Sequence, residues 1–463
     1  MKQRKAQRPA KRRQHTRPSA QQRAPREFPQ ITEPVTIEKP IYGGAFLARV
    51  EGKAIFVPLT LPGEQARIRI TDDKGAYATA EPEQIMAAVP ERVAPACHHF
   101  GACGGCHYQH ASYAAQLDFK QAILRETLAR AGVAVPVEIS VLAVSSEAQS
   151  WSYRNRIRLA FDAEGNPGYR GRRSHAIVPI AECPIAAPLL VSSALIFADV
   201  SRKFSPALRP TELSLFTNPD ESAMLATINT ASAAPNQFED FGSAVAEKIP
   251  AIKGVDLVSQ AAPNKKSAGH PRTTARWGEP SISYRAAGFD YRVDHGAFFQ
   301  VNRWLVDGLV EKVCGDYRGS LAWDLFAGVG LFARQLTARF DQVIAVESAP
   351  PAVVSLEENL RGTTGSAVRA STFDFLRDNS KPETAPPDLI ILDPPRTGLG
   401  PHITTLLATI GAPAIVYVSC DPATLARDLR ALLASGYAIH SVTLADLFPH
   451  TFHLETVVHL CRA

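Results

Sequence analysis

One cysteine of the chain has a setting that suits covalent chemistry. In Val418-Ser419-Cys420-Asp421-Pro422 the cysteine lies just past an apolar run, in a turn, where a thiol can be exposed and its pKa lowered by nearby donors. A free cysteine is more often a small buried apolar residue. The polar company of Ser419 and Asp421 argues against that, whereas Cys314 and Cys461 sit inside apolar runs and read as structural. A second polar segment, Asp393-Pro394-Pro395-Arg396-Thr397-Gly398, ends the preceding apolar run. A third, Asp324-Leu325-Phe326-Ala327-Gly328-Val329-Gly330, has two glycines that let the backbone turn tightly and let a ligand approach it. Glu347 follows about 20 residues on, where nucleotide-binding sheets place a carboxylate for the ribose hydroxyls. The bland alternative for Glu347 is a solvated acid at a strand end. Ala333, where a dinucleotide site prefers a third glycine, does not decide between cofactors. Asp374, after the third strand, is a candidate for hydrogen bonding an adenine.

Three further cysteines crowd together as Cys97-x5-Cys103-Gly-Gly-Cys106, and Cys183 stands before Pro184. In a chain with seven cysteines, an odd number, this crowding argues for a metal site rather than disulfides. Four thiolates suit a 4Fe–4S cluster and equally a zinc ion. His98, His99 and His107 are close enough in sequence to substitute, so spacing leaves both open.

These residues need elements to hold them. From residue 322 onward the texture alternates strand and helix. Apolar runs at 321–326, 343–346, 389–392 and 415–418 predict a doubly wound parallel sheet that carries its ligands at the strands' carboxyl ends. Further upstream, residues 34–85 read as short strands broken by turns at Gly52-Lys53 and Pro62-Gly63-Glu64. Ala66-Arg67-Ile68-Arg69-Ile70 alternates with period two. A small OB-type β-barrel is expected, a form that often binds oligonucleotides. Residues 113–130 carry the apolar stripe Leu117, Ile123, Leu124 and Leu128, and Gly132 stops that helix. Residues 151–290 look β-rich and irregular, with an exposed loop at 264–271. Trp151-Ser152-Tyr153-Arg154-Asn155-Arg156-Ile157-Arg158 could line a strand with arginines for an RNA backbone, or be a solvated face.

Of 463 residues, 45% are hydrophobic and 21% charged, ordinary for a globular protein. The net charge of +5 is uneven: residues 1–26 hold ten Lys or Arg and no acid. That segment is expected to be a disordered tail, either solubilising or phosphate-binding. No apolar stretch reaches the ~20 residues of a membrane span, and no signal core follows the N-terminal charges. A cytoplasmic monomer with no membrane partner is expected.

Five segments in order resemble the uracil-5 RNA methyltransferases. They are Phe298-Phe299-Gln300-Val301-Asn302, the glycine loop 324–330, Asp393-Pro394-Pro395-Arg396, Ser419-Cys420-Asp421-Pro422-Ala423-Thr424-Leu425-Ala426-Arg427-Asp428, and Asp446-Leu447-Phe448-Pro449-His450-Thr451 followed by Glu455. The barrel resembles that family's TRAM domain. The one visible departure is Leu331, where many relatives have a polar residue.

The resemblance implies an S-adenosylmethionine-dependent enzyme with a disordered tail (1–30), a TRAM barrel (31–88), a central iron–sulfur domain (89–289) and a Rossmann-like class I methyltransferase domain (290–463). The helix at 112–131 would pack on the last. Cys420 would be the nucleophile, and Glu455 the base. Phe298 would stack on a displaced uracil, although one aromatic in an apolar pair is usually core. Gln300 and Asp393 would lie near cofactor and base, and Phe326, Glu347 and Asp374 would hold the cofactor. Cys97, Cys103, Cys106 and Cys183 would carry a 4Fe–4S cluster, which points to 23S ribosomal RNA because tRNA-modifying relatives generally lack it. A tRNA uridine or RNA cytosine-5 methyltransferase and an inactive RNA-binding relative are the alternatives. A cytosine enzyme would place Pro before its cysteine, where this chain has Ser419. Retention of Cys420 and Glu455 opposes the inactive relative, and nothing in the chain supplies hydride chemistry for an oxidoreductase.

Overall fold

The computed structural model describes residues 33–135, 138–230, 237–259, 272–381 and 385–462. The basic tail and the loop at 264–271 lie outside the described residues.

The N-terminal strands Val35–Pro40, Ala45–Val50, Lys53–Pro58, Gln65–Asp73 and Tyr77–Ala87 form a closed five-stranded barrel. Period-two patterning decides its faces: Ala66, Ile68 and Ile70 point inward, while Arg67 and Arg69 alternate outward. Glu51 and Gly52, both with positive φ, make the tight turn between the second and third strands.

The helix Tyr113–Arg130 has the bounds its apolar stripe implied. Ser112 caps it by accepting from the Ala115 amide. Its buried Ile123, Leu124 and Leu128 join Leu425, Leu429 and Leu432 of the helix Pro422–Ala434 in one core. Truncating a side chain so enclosed typically costs about 2–5 kcal/mol, so this helix is firmly docked on the C-terminal layer.

A seven-stranded sheet fills the middle of the chain. Its order is Arg272–Gly278, Ile252–Ser259, Met224–Thr230, Glu212–Thr217, Arg156–Phe161, Pro167–Arg170 and Ile177–Pro179. Helices Pro188–Ser201 and Phe238–Lys248 cover one face and share a core with it. The sequence reading of irregular β structure missed both helices. The run Pro188-Leu189-Leu190-Val191 begins with Pro at the first helical turn, a start signal that an apolar stretch can hide.

The C-terminal sheet has eight strands in the order Gly365–Arg369, Phe340–Glu347, Gly319–Leu325, Leu389–Leu392, Ala414–Ser419, Glu455–Arg462, Tyr437–Ala445 and Ile139–Leu142. Leu389–Leu392 is buried at every position, as the apolar run foretold for a parallel strand covered on both faces. Only Glu455–Arg462 runs against its neighbours. The eighth strand comes from residues 139–142, far upstream of residue 290, and pairs in parallel with Tyr437–Ala445. Four residues without a distinctive pattern could not announce that. Among the described residues no helix is long and apolar enough to cross a membrane.

Candidate active site

The glycine loop starts where Gly319–Leu325 ends. Phe326 adopts φ 65°, a left-handed conformation that is strained for an aromatic residue. Gly328 (φ 56°) and Gly330 (φ 87°) continue the turn, and a Cβ on Gly330 would lie 2.6 Å from Leu356. Asp324 is fully buried beneath the loop. Its Oδ2 accepts the Ala333 amide at 2.8 Å, and its Oδ1 has no partner. Burial lifts that carboxyl to about 7, helped by Asp393 and Glu347. Leu331 is buried and opens the following helix, so its apolar side chain serves packing.

Phe298, Gln300, Phe326, Gly328 and Asp393 line one pocket above this loop. Phe298 is 58% exposed while its neighbour Phe299 is buried, so Phe298 is not core. The backbone beneath it is braced: the Asn155 amide donates to the Gln300 carbonyl at 2.8 Å, and Arg156 to the Ala297 carbonyl at 2.8 Å. Gln300 Nε2 donates to Asp393 Oδ2 at 3.2 Å. Glu347 ends its strand and accepts three backbone N–H groups, from Gly328 (2.9 Å), Ser348 and Ala349 (2.7 Å each). It thus shapes the loop, and its carboxylate keeps lone pairs for further donors. Asp374 is exposed and occupied at a helix start, accepting from the Ser371 hydroxyl at 2.6 Å and from Arg377 at 2.9 Å.

Cys420 and Glu455 come from neighbouring strands, one just past the end of Ala414–Ser419 and the other opening Glu455–Arg462. Burial pushes the Cys420 thiol up to about 12, and Glu455 and Asp393 push the same way, with Arg396 opposing. The lowered thiol pKa expected from the turn is therefore not found. Asp421, whose polarity argued against a buried apolar cysteine, caps the next helix through the Ala423 and Thr424 amides. Glu455 is buried, its Oε1 has no partner, and burial with the Asp393 charge drives its carboxyl well above the usual range. Burial also raises Asp393 to about 7. Cys420, Asp393 and Glu455 thus lie close enough to raise one another's pKa values, a pattern suited to proton transfer.

The loop that delivers Glu455, which opens with the motif 446–451, is pinned by residues of which the sequence reading did not single out Lys120, Gln116 or Tyr42. Lys120 and Asp446 form a fully buried ion pair at 2.5 Å, and Lys120 also donates to the Phe448 carbonyl at 2.9 Å. The Tyr113 hydroxyl donates to Asp446 at 2.9 Å. His450, with φ 64°, stacks on Trp151 at 3.7 Å, and its backbone N–H donates to Gln116 at 2.8 Å. Tyr42, on the barrel turn between Pro40 and Ala45, meets Phe452 edge-on at 5.4 Å and reaches Asp421 beside Cys420. A lysine at a helix position that faces the core was the one available signal; it is costly unless paired.

Cys97, Cys103, Cys106 and Cys183 line a single cavity of about 230 Å³ together with Arg154 and His453. Burial raises all four thiols. Among the described residues no three His, Cys, Asp or Glu side chains stand close enough to grip one metal ion. The cysteine loop touches the Glu455 loop directly: the His107 and Tyr108 amides donate to the His450 carbonyl at 2.8 and 3.0 Å. The three arginines of residues 151–158 do not share a solvated face. Arg154 lines the cysteine cavity, Arg156 lies 4.5 Å over the Phe216 ring, and only Arg158 is exposed, ion-paired with Glu212 at 2.6 Å.

Comparison with known proteins agrees with this arrangement. Residues 279–463 match the family model described as tRNA (Uracil-5-)-methyltransferase, and residues 31–82 match the TRAM domain. An uncharacterized RNA methyltransferase of Streptomyces coelicolor is 33% identical, covering 95% of this chain and 96% of its own. The 23S rRNA (uracil(1939)-C(5))-methyltransferase RlmD of Chromohalobacter salexigens is also 33% identical, over 92% of this chain and 89% of its own. The crystal structure of the Pyrococcus abyssi tRNA (uracil-54, C5)-methyltransferase with S-adenosyl-L-homocysteine superposes with a TM-score of 0.71 at 25% identity. It covers 92% of this chain and all of the other. The glycine loop, the class I sheet order, the barrel and these relatives together place the chain in the RNA (uracil-5-)-methyltransferase family, enzymes that use S-adenosylmethionine, with an N-terminal TRAM domain.

Proposed function

We propose that the chain methylates carbon 5 of one uridine in 23S ribosomal RNA through a covalent Cys420 adduct. The observation that carries this reading is the pairing of Cys420 with Glu455, a buried acid whose Oε1 is unpartnered. Carbon 5 of uracil is too weak a nucleophile by itself. The Cys420 thiol loses its proton to solvent, and addition of the thiolate to carbon 6 makes the ring an enolate. S-adenosylmethionine, when bound, supplies an electrophilic methyl group and a positive sulfonium. Glu455 Oε1 then takes the carbon 5 proton so that the thiolate can leave, and its raised pKa makes it the stronger base. Phe298, exposed at the pocket mouth, stacks on the displaced uracil. That contact offsets the few kcal/mol of base flipping. In this reading Gln300 and Asp393 serve both partners, Phe326 and Glu347 hold the cofactor's adenosine, and Asp374 is a candidate hydrogen-bond partner for the adenine.

The ribosomal target is favoured by the relatives named for it at 31–33% identity; a tRNA uridine is the second reading, favoured by the Pyrococcus likeness. The four cysteines around one cavity are read as the ligands of a 4Fe–4S cluster, on their number and on the family resemblance of their spacing. The chain is read as a cytoplasmic monomer of tail, TRAM barrel, central cluster domain and catalytic domain. Mass mapping of ribosomal and transfer RNA from a deletion strain tests the target. Loss of 5-methyluridine at one 23S position, restored by the wild-type gene and not by Cys420→Ala, is expected. Loss from tRNA alone would contradict the ribosomal assignment.

A further inference from the structure

The open face of the central sheet holds a second pocket, of about 320 Å³, separate from the cysteine cavity. Its floor is the strand pair Arg156–Phe161 and Glu212–Thr217, which sets Arg156 opposite Phe216 and Arg158 opposite Ser214. Its wall is Asp294-His295-Gly296, and the chain continues from there through Ala297 directly into the exposed Phe298. The pocket is thus tied to the segment that presents Phe298, through the Arg156 bond to the Ala297 carbonyl.

Arg156 is the unusual residue. Its guanidinium carbon lies 4.5 Å from the centre of the Phe216 ring and it gives one hydrogen bond, to the Ala297 carbonyl. Its Nε is buried with no partner, and no carboxylate forms an ion pair with it among the described residues. The acids nearby are committed elsewhere: Glu212 to Arg158 and Asn229, Asp294 to Arg292 and Ser355. Burial alone pushes this guanidinium down to about 10, the mark of a cation without a countercharge. Uncompensated buried charge destabilises a fold unless something supplies the missing partner. A guanidinium with unused N–H donors, stacked on an aromatic ring in a nucleotide-sized pocket, has the chemistry of a phosphate site.

We propose that this pocket is a subsite for a nucleotide flanking the target uridine, with Arg156 binding its phosphate. The proposal rests on the RNA-uridine reading of the Phe298 pocket and adds where the neighbouring strand lies. It also explains why Arg156 bonds the Ala297 carbonyl: phosphate binding at Arg156 is tied to the backbone that presents Phe298.

The test compares the full chain with Arg156→Gln, Arg156→Lys and Arg158→Gln, using a ten-nucleotide oligouridylate probe over a salt series. Arg156→Gln is expected to weaken binding about tenfold, the scale of one charge-assisted contact. The log–log salt slope should fall by about 0.7, the loss of one single-strand phosphate contact. Arg156→Lys should keep the slope but bind less tightly, since it keeps charge without the planar fork. Arg158→Gln, already neutralised by Glu212, should change the slope less. Arg156→Gln should melt no lower than wild type, because it removes an unpaired buried cation. Unchanged affinity and slope in a folded Arg156→Gln would overturn the subsite. Failure of the wild-type chain to bind the oligonucleotide at all would instead overturn the RNA-uridine reading beneath it.

Discussion

The two ends of the catalytic pocket are built in different ways. The cofactor end is local: a strand, a glycine turn, Asp324 beneath it and Glu347 on the adjacent strand, all within 324–347 and tied by short-range bonds. The thiol end is assembled from a distance. Cys420 and Glu455 stand on neighbouring strands, but the loop carrying Glu455 is fixed by Lys120, Tyr113, Gln116, Trp151 and the His107–Tyr108 backbone. Chemistry that reads a common cofactor is encoded in one stretch. Chemistry that must act on one carbon of one base borrows its rigidity from the N-terminal half.

If that contrast is right, breaking a distant anchor should harm the thiol end and spare the cofactor end. The largest effect is expected for Lys120→Met. Leaving Asp446 charged and buried without its partner costs roughly 3–5 kcal/mol, read as a shift in denaturant midpoint. Calorimetric binding of S-adenosylmethionine by the protein that remains folded should change little. Lys120→Met combined with Asp446→Asn should recover part of the loss. Equal loss in both measurements would show the two ends to be one unit.

The next effect belongs to the cofactor end and depends on pH. Asp324 titrates near 7 in the fold and near 3.9 when unfolded. The unfolded chain therefore releases this proton first as pH rises. The fold pays a penalty that grows from about pH 4 to 7 and is constant above. Asp324→Asn, which can still accept the Ala333 amide, should remove it. Its gain over wild type should be near zero at pH 4 and on the order of 2–4 kcal/mol at pH 8. A pH-independent difference would refute the buried, lifted carboxyl.

Glu347→Gln should weaken S-adenosylmethionine about tenfold, through lost charge-assisted bonds of roughly 1.5–3 kcal/mol. Gln keeps one acceptor oxygen, enough for the Ser348 and Ala349 amides but not for Gly328 as well, so part of the loss should come through the glycine loop. The smallest effect is expected from Tyr42→Phe on the barrel turn. It should lower kcat severalfold with KM for RNA unchanged if the hydroxyl orders Asp421 beside Cys420, and raise KM alone if the barrel only binds RNA.

The same contrast governs what was legible in the sequence. Strands of the C-terminal sheet and the glycine loop were readable because each is a short apolar run with polar punctuation at its end; Cys420 was singled out by its turn, and Glu455 only through the family resemblance. The barrel was readable from period two, and the helix Tyr113–Arg130 from its stripe and its stop. The strand Ile139–Leu142 was not, because its place is set by pairing with residues 442–445, some 300 positions away. Arg154 and Arg156 were read as an RNA-contacting or a solvated strand face, because alternation alone cannot tell an open face from one roofed by another element. The expected lowering of the Cys420 pKa is opposed first by burial and then by Glu455 and Asp393, all of which arise only in the fold.

The central claim is the division of labour between Cys420 and Glu455, and Glu455→Gln tests it most directly. Gln is nearly isosteric, so RNA and cofactor should still bind while the base is lost. Addition and methyl transfer should proceed, and the carbon 5 proton should then have no acceptor. A denaturation-resistant protein–RNA band carrying the methyl label is expected in Glu455→Gln and absent when Cys420→Ala is added. Normal turnover by Glu455→Gln, or a band that persists without Cys420, would contradict it.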